Sequence, residues 1–188
     1  MKCSVFIATS ADGYIATKGG EIDWLENAGE PNVDMGEQLD MGFNNYLASV
    51  DCMIIGRKTM EKISSFNLTL NQWPYGNLPI FVLSNTLKAP PSNFISKVEI
   101  YSGEIPLLIS RLIVEGFQHA YIDGGMVITS FLNLGLINEM IITQAPIFLG
   151  EGRPLFGRLN KQIKLKDSLV KTFPNDFIQI QYKVDYPK

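Results

Sequence analysis

Residues 121–137, YIDGGMVITSFLNLGLI, set two adjacent glycines between a short apolar run and a stretch with helical spacing. A strand ending at Asp123 and a helix starting at Met126 place Gly124 and Gly125 in the turn between them. An α/β protein lets a phosphate approach its backbone at such a turn. The spacing is neither the G-x-G-x-x-G of dinucleotide-binding folds nor the G-x-x-x-x-G-K of a P-loop. In isolation, a turn that needs a positive φ explains the pair equally well. Asp123 would repel a phosphate if it faced one, so it is expected to turn away and cap the following helix.

Working outward, the same alternation recurs. VFIAT (Val5 to Thr9) reads as a strand followed by an Asp12-Gly13 turn. Between Gly36 and Val50, Leu39, Phe43, Tyr46, Leu47 and Val50 fall on one helical stripe. CMIIG (Cys52 to Gly56) is a fully apolar strand, as expected in a sheet covered on both faces, and RKTMEKI opens a helix after it. IFVLS (Ile80 to Ser84), VEIYS and AYID (Ala120 to Asp123) continue the strand series, with a helix over Leu107 to Glu115 and another over Met126 to Asn133. EMIITQAPIFLG adds a further apolar stretch. QIKLKDSLVKTF and FIQIQYKV alternate around Pro174-Asn175-Asp176 and read as an antiparallel hairpin. Parallel β-α-β units closed by an antiparallel edge follow.

The chain of 188 residues is expected to form one domain over residues 1–188, with 46% hydrophobic and 19% charged residues, typical of a globular protein. No apolar run is long enough to span a bilayer, and the N-terminus reads as a strand and not as a signal peptide. A cytoplasmic protein with no membrane partner is the expectation. A net charge of −3 argues against nucleic acid as a partner. Cys3 and Cys52 have no ligand-spaced neighbours, so no metal site is expected. They read as small core hydrophobes, with a disulfide left open. His119, the single histidine, reads as structural, without a partner in view.

Three turns follow strands at what would be one edge of the sheet. In GRKT, Gly56 would admit a ligand to a helix start, Arg57 and Lys58 would add charge, and Thr59 a hydroxyl. A solvated strand–helix turn is the plainer alternative. In LSNT, Ser84 and Asn85 suit a phosphate or ribose, or simply a polar turn. The third is DGG. Asp40 sits at the edge of the Leu39–Phe43 stripe, where partial burial would raise its pKa and fit it to deliver a proton. Trp24 and Phe43 are candidates to pack against a substrate ring, although both suit ordinary packing.

Taken in order, SADGYIA, IDWL, DCMIIGRKTME, FVLSNT and YIDGGMVITSFLNLGLINEMIITQAPIFLGEGRPLF resemble the dihydrofolate reductase-like superfamily. Within it, they are most similar to the reductase domain of the bifunctional riboflavin-biosynthesis protein (RibD C-terminal domain-like). The resemblance covers Ser4 to Phe156 and implies an α/β fold with a mostly parallel central sheet flanked by helices, closed by a C-terminal antiparallel hairpin. It also implies NADPH as cofactor, hydride transfer to a small-molecule substrate, and a homodimer. By this resemblance Gly124, Gly125 and Met126 lie beside the cofactor pyrophosphate, and Gly56, Arg57, Lys58 and Thr59 around its phosphates, with Arg57 on the 2′-phosphate. Ser84 and Asn85 match the adenosine end, Ala8 and Ile15 the nicotinamide, Ala16 to Trp24 a mobile loop, and Thr143 a threonine near the substrate ring. Asp40 falls where dihydrofolate reductases carry their catalytic acid, although the loop from Asn27 to Gly36 differs in length from theirs. Met126 replaces a frequent arginine, and no late arginine is found to clamp a folate glutamate, which disfavours folate. The H-x-E and P-C-x-x-C motifs of the companion deaminase are absent, so a stand-alone reductase module is expected. The expected function is an NADPH-dependent reductase of a small heterocyclic or carbonyl substrate. The alternatives are dihydrofolate reduction and a non-catalytic NADPH- or ligand-binding protein.

Overall fold

In the computed structural model, which describes residues 1–95 and 97–187, fourteen elements follow one another. They are β1 (Lys2–Thr9), β2 (Tyr14–Ala16), α1 (Phe43–Ala48), β3 (Cys52–Gly56), α2 (Arg57–Ser65), β4 (Ile80–Leu83) and β5 (Val98–Tyr101). Then come α3 (Ile105–Val114), β6 (His119–Asp123), α4 (Gly125–Asn133), β7 (Glu139–Gln144), β8 (Arg153–Pro154), β9 (Lys164–Thr172) and β10 (Ile178–Asp185). Eight strands form one sheet in the order β5-β4-β3-β6-β1-β7-β10-β9. The first six in that order run parallel, β10 adds antiparallel to β7, and β9 adds antiparallel to β10. β2 and β8 make a small separate pair.

The period of two along a strand explains why CMIIG is apolar throughout. Cys52 and Ile54 pack with Leu108, Leu112, Ile128 and Phe131 of α3 and α4. Met53 and Ile55 pack with Tyr46, Met60 and Ile63 of α1 and α2. Both faces are covered, so no polar position is left within the strand. Cys3 and Cys52 are buried and free. Both stand opposite Ala120, one on each side of β6. Two strand spacings, about 10 Å, separate them, beyond the reach of a disulfide. Burial pushes the Cys3 thiol up to about 11.

Two expected elements differ. The helix expected over residues 36–50 is a 3-10 turn at Gly36–Gln38 and a short α1. Gly42 has φ +88 and Met41 φ +50, which interrupt the helix and swing Leu39 out of the stripe to 78% exposure. In the hairpin, all nine residues of β9 are exposed, so its alternation has no buried side. A register shift opposite residues 181–183 and Asp167 at φ +52 break the period of two, as a bulge does.

His119 has partners, contrary to the sequence reading. Its Nδ1 lies 2.7 Å from the Ser49 carbonyl, and its Nε2 lies 2.7 Å from Ser4 Oγ, which in turn is 2.8 Å from the Tyr46 hydroxyl. The carbonyl only accepts, so Nδ1 carries the proton and Nε2 accepts from Ser4, which frees Ser4 to accept from Tyr46. Burial holds the His119 pKa below its ordinary value of 6.5. With the folded value depressed, the unfolded chain takes up its proton first, and stability falls as pH drops below about 6.5. The single imidazole signal followed by NMR should titrate below pH 6.5 in the folded protein; a midpoint at or above 6.5 would refute the neutral, doubly bonded ring.

Candidate active site

The carboxyl ends of β1, β3, β4, β6 and β7 share one edge of the sheet. The helix starts after β3 and β6 meet there. α2 begins after Gly56 and α4 after Gly124, and no side chain caps either helix, so the first N–H groups of both remain available to an acceptor. Gly124 has φ +94, and a Cβ there would stand 2.5 Å from Thr59 Oγ1. A Cβ on Gly125 would stand 2.9 Å from the carbonyl oxygens of Pro154 and Leu155 and 3.3 Å from Ile15 Cδ1. The DGG glycines are therefore required by the fold itself, Gly124 by its backbone and by Thr59, Gly125 by the β8 segment. Their consequence is that Thr59, Ile15 and both helix starts come within reach of one ligand.

Arg57 and Lys58 are exposed, and Arg57 pairs with Glu61 at 3.2 Å across one helical turn. Met126 is 79% exposed at the first turn of α4. Ser84 Oγ accepts the backbone N–H groups of Thr86 and Leu87, which fixes the turn that presents exposed Asn85. The donor set of helix N–H groups, guanidinium, ammonium and hydroxyl suits a polyphosphate anion.

Asp123 departs from expectation. It does not cap α4; its carboxylate accepts the N–H of Gly124, and burial pushes its pKa up to about 6. It shares a sheet face with Tyr121, the alternate residue of the same strand.

Beside this edge lies a cleft of about 280 Å³, lined by Phe6, Ala8, Leu25, Asp40, Met41, Thr143 and Phe177 among others. Thus Ala8, Asp40 and Thr143 are brought together as expected. Asp40 has the opposite character to the expected one. Its carboxylate accepts the N–H groups of Gly42 at 3.0 Å and Asn44 at 2.9 Å, and these bonds hold its pKa below the ordinary value. The break at Gly42 puts Asp40 just ahead of a helix start instead of on the helix face, so it is stabilised as an anion.

Trp24 and Phe43 do not line the cleft. Leu25 does so in place of Trp24, which packs against the cluster of Ala145, Phe173 and Phe177. Phe43 packs on Phe6 at 5.4 Å and on Tyr75 and Tyr121 at 6.4 Å, and it is Phe6 that reaches the cleft. The sequence reading also passed over Gln179. Its amide donates to Thr143 Oγ1 at 2.8 Å and to the Met41 carbonyl at 3.1 Å, which leaves the Thr143 hydroxyl proton free to donate. The signal was present: in FIQIQYKV the glutamines repeat on the face beside Thr143.

Residues 2–179 match the family described as the RibD C-terminal domain, and the chain belongs to that family. Uncharacterized protein YyaP of Bacillus subtilis (strain 168) is 30% identical, covering 94% of this chain and 91% of its own. The crystal structure of a "Putative riboflavin biosynthesis protein" from Shewanella sp. PV-4 is similar over 99% of this chain and all of that one, at 39% identity and a TM-score of 0.86. Dihydrofolate reductase from Enterococcus faecalis, complexed with NADP(H), shares the fold at 13% identity and a TM-score of 0.61, over 98% and 97% of the two chains. The protein thus has a RibD-type reductase fold, dihydrofolate reductase-like, with a mostly parallel sheet closed by the antiparallel β9–β10 pair.

Asp123 supplies a test of the site's electrostatics. Its folded pKa lies above the ordinary 3.8. Its contribution to stability is therefore present below about pH 4 and lost as pH rises through about 6. At pH 7.5, Asp123→Asn should be more stable than wild type by about 1–2 kcal/mol, with the gap closing toward pH 4, as read by urea unfolding. A variant less stable at pH 7.5 would show that the carboxylate is not buried at a cost.

Proposed function

We propose that the protein is an NADPH-dependent reductase acting on a small heterocyclic or carbonyl substrate. The observation that carries this reading is the junction of two uncapped helix starts, α2 and α4, beside a cleft floored by Ala8. Membership of the RibD C-terminal domain family supports it. NADPH, when bound, supplies the hydride. The N–H groups after Gly124, with Thr59, hold the pyrophosphate, and Arg57 swings from Glu61 to the 2′-phosphate, with Lys58 adding charge. Ser84 and Asn85 meet the adenosine end, and Met126 covers the outer side of the phosphates. The methyl of Ala8 and the side chain of Ile15 leave room for a flat ring above the sheet edge.

On the substrate side, the Thr143 hydroxyl, oriented by Gln179, donates to an acceptor on the substrate. Asp40, ionised at neutral pH, does not itself give up a proton; it orients a water that does. Asp40→Asn should lower turnover while NADPH affinity stays within about twofold, since the residue lies at the substrate side. Wild-type turnover in that variant would remove Asp40 from the mechanism.

We also propose a homodimer formed through β9, an edge strand whose exposed Leu165, Leu169 and Val170 would otherwise stay in water. Leu169→Lys with Val170→Lys should then turn a dimer into a monomer by sedimentation; an unchanged mass would place the contact elsewhere.

The cofactor assignment is tested by fluorescence titration of wild type and Arg57→Ala with NADPH and NADH. Wild type should prefer NADPH, and the variant should lose roughly 10- to 100-fold in NADPH affinity, the worth of a charge-assisted hydrogen bond, with NADH little changed. Equal loss for both nucleotides would take Arg57 off the 2′-phosphate.

A further inference from the structure

Ala8 and Ile15, the two residues proposed to meet the nicotinamide, are joined by a turn that one carboxylate ties down. Asp12 Oδ1 accepts the Ser10 hydroxyl at 2.5 Å and the Leu149 N–H at 3.1 Å, and Oδ2 accepts the Gly150 N–H at 2.7 Å. Ser10 is fully buried, and its Oγ accepts the Tyr14 N–H at 3.0 Å, so its one proton is left for Asp12. Three donors thus converge on the two oxygens of Asp12, a demand that a carboxylate meets and an amide does not.

These bonds join segments that follow different strands. Residues 10–14 follow β1, and residues 145–155 follow β7. Backbone bonds from the Ala11 N–H to the Ile147 carbonyl and from the Leu155 N–H to the Gly13 carbonyl flank the carboxylate. Between them, Phe148 is 78% exposed, and Asp12 holds the N–H groups of Leu149 and Gly150. The joined segments then carry the β2–β8 pair, Tyr14 with Pro154 and Ala16 with Arg153. That pair sets Ile15 Cδ1 and the carbonyls of Pro154 and Leu155 against Gly125. Ile15 is therefore fixed from two sides, by Gly125 and by the bonds of Asp12.

The carboxylate is also an uncompensated charge. The Ser10 hydroxyl, followed by the N–H groups of Leu149 and Gly150, holds its pKa below the ordinary value. No lysine or arginine pairs with it among the described residues. Loss of a hydride to the substrate turns a neutral reduced nicotinamide into a pyridinium cation, and an anion fixed nearby favours that form.

Resting on the reductase reading, we propose that Asp12 is a positioning residue for the nicotinamide: it fixes Ile15 through the two segments it joins, and its charge favours the oxidised cofactor over the reduced one. It touches neither cofactor nor substrate. Arg57, two strands from β1, and Ser84, three strands from β1, meet the other end of the cofactor and are independent of it.

The test is calorimetric titration of wild type, Asp12→Asn and Ser10→Ala with NADP⁺, with NADPH, and with adenosine 2′,5′-bisphosphate, which lacks the nicotinamide. Asp12→Asn should weaken NADP⁺ roughly tenfold and NADPH about threefold, the difference being one charge interaction screened by solvent. The bisphosphate should stay within about twofold, which also shows that the variant is folded at the phosphate site. Ser10→Ala removes one bond of the clamp and keeps the charge, so it should weaken NADP⁺ and NADPH alike, by about threefold. The proposal is overturned if Asp12→Asn leaves the ratio of NADP⁺ to NADPH affinity at its wild-type value, or if the bisphosphate weakens as much as the whole nucleotides. A ratio shifted as far by Ser10→Ala would assign the effect to the loop and not to the charge, and overturns it as well. Wild type that binds none of the three overturns the reductase reading together with this one; binding of all three with an unchanged ratio in Asp12→Asn overturns this one alone.

Discussion

The approach of Thr59 to Gly124 is the contact on which the site depends. A side chain at residue 124 would occupy the place of the threonine hydroxyl, 2.5 Å from a Cβ, and its φ of +94 would strain any residue with a Cβ. Only with that position bare can α2 and α4 begin side by side at the carboxyl edge of adjacent strands. Gly56 repeats the logic more mildly, since a Cβ there would lie 3.2 Å from Val127 Cγ2. The close packing that the fold demands and the row of free N–H groups that a polyphosphate demands are thus one arrangement. The glycines do not need a ligand to explain them, yet they leave the backbone donors exposed to one.

The alternation along the strands divides the molecule's labour. One face of β1, β6 and β7 carries Ser4, Phe6 and Ala8, then Tyr121 and Asp123, then Ile141 and Thr143, as the parallel registers require. Toward the amino ends this face is closed by Tyr46 and His119 in a hydrogen-bonded chain. Toward the carboxyl ends it opens as the cleft. The segment of residues 23–41 forms the outer wall and docks on the hairpin turn: Glu30 donates its N–H to the Asn175 carbonyl, and a Cβ on Gly29 would stand 2.7 Å from that oxygen. The hairpin is therefore part of the site as well as the end of the sheet, through Asn175, Phe177 and Gln179.

Where a local pattern had a single physical reading, the sequence revealed it. CMIIG had to be a strand buried on both faces, and the helix after DGG had to start at the glycines. The three ligand-suited turns were legible because a parallel sheet gathers the carboxyl ends of its strands. What was not legible depended on groups distant in sequence. The stripe from Leu39 to Val50 was helical in spacing, but Gly42 in a left-handed conformation broke it. That break turned Asp40 from a half-buried acid into an anion bonded to two backbone N–H groups. Trp24 and Phe43 were the obvious aromatics, yet Leu25 and Phe6 reach the cleft, because packing against Phe177 and Tyr121 outcompetes exposure to it. Asp123 was expected to cap a helix, but a cap was not available to it: the turn gives that role to Gly124, and the carboxyl is left among the aromatic side chains of its own face.

In the proposed function, NADPH lies across the two helix starts with its nicotinamide over Ala8. A crystal structure of the protein grown with NADP⁺ tests it directly. The proposed binding mode requires the pyrophosphate on the N–H groups following Gly124, the 2′-phosphate within hydrogen-bonding distance of Arg57, and the nicotinamide ring against Ala8 at the mouth of the cleft. Nucleotide bound elsewhere, or with its phosphates turned into the carboxylate-lined cleft, would contradict it.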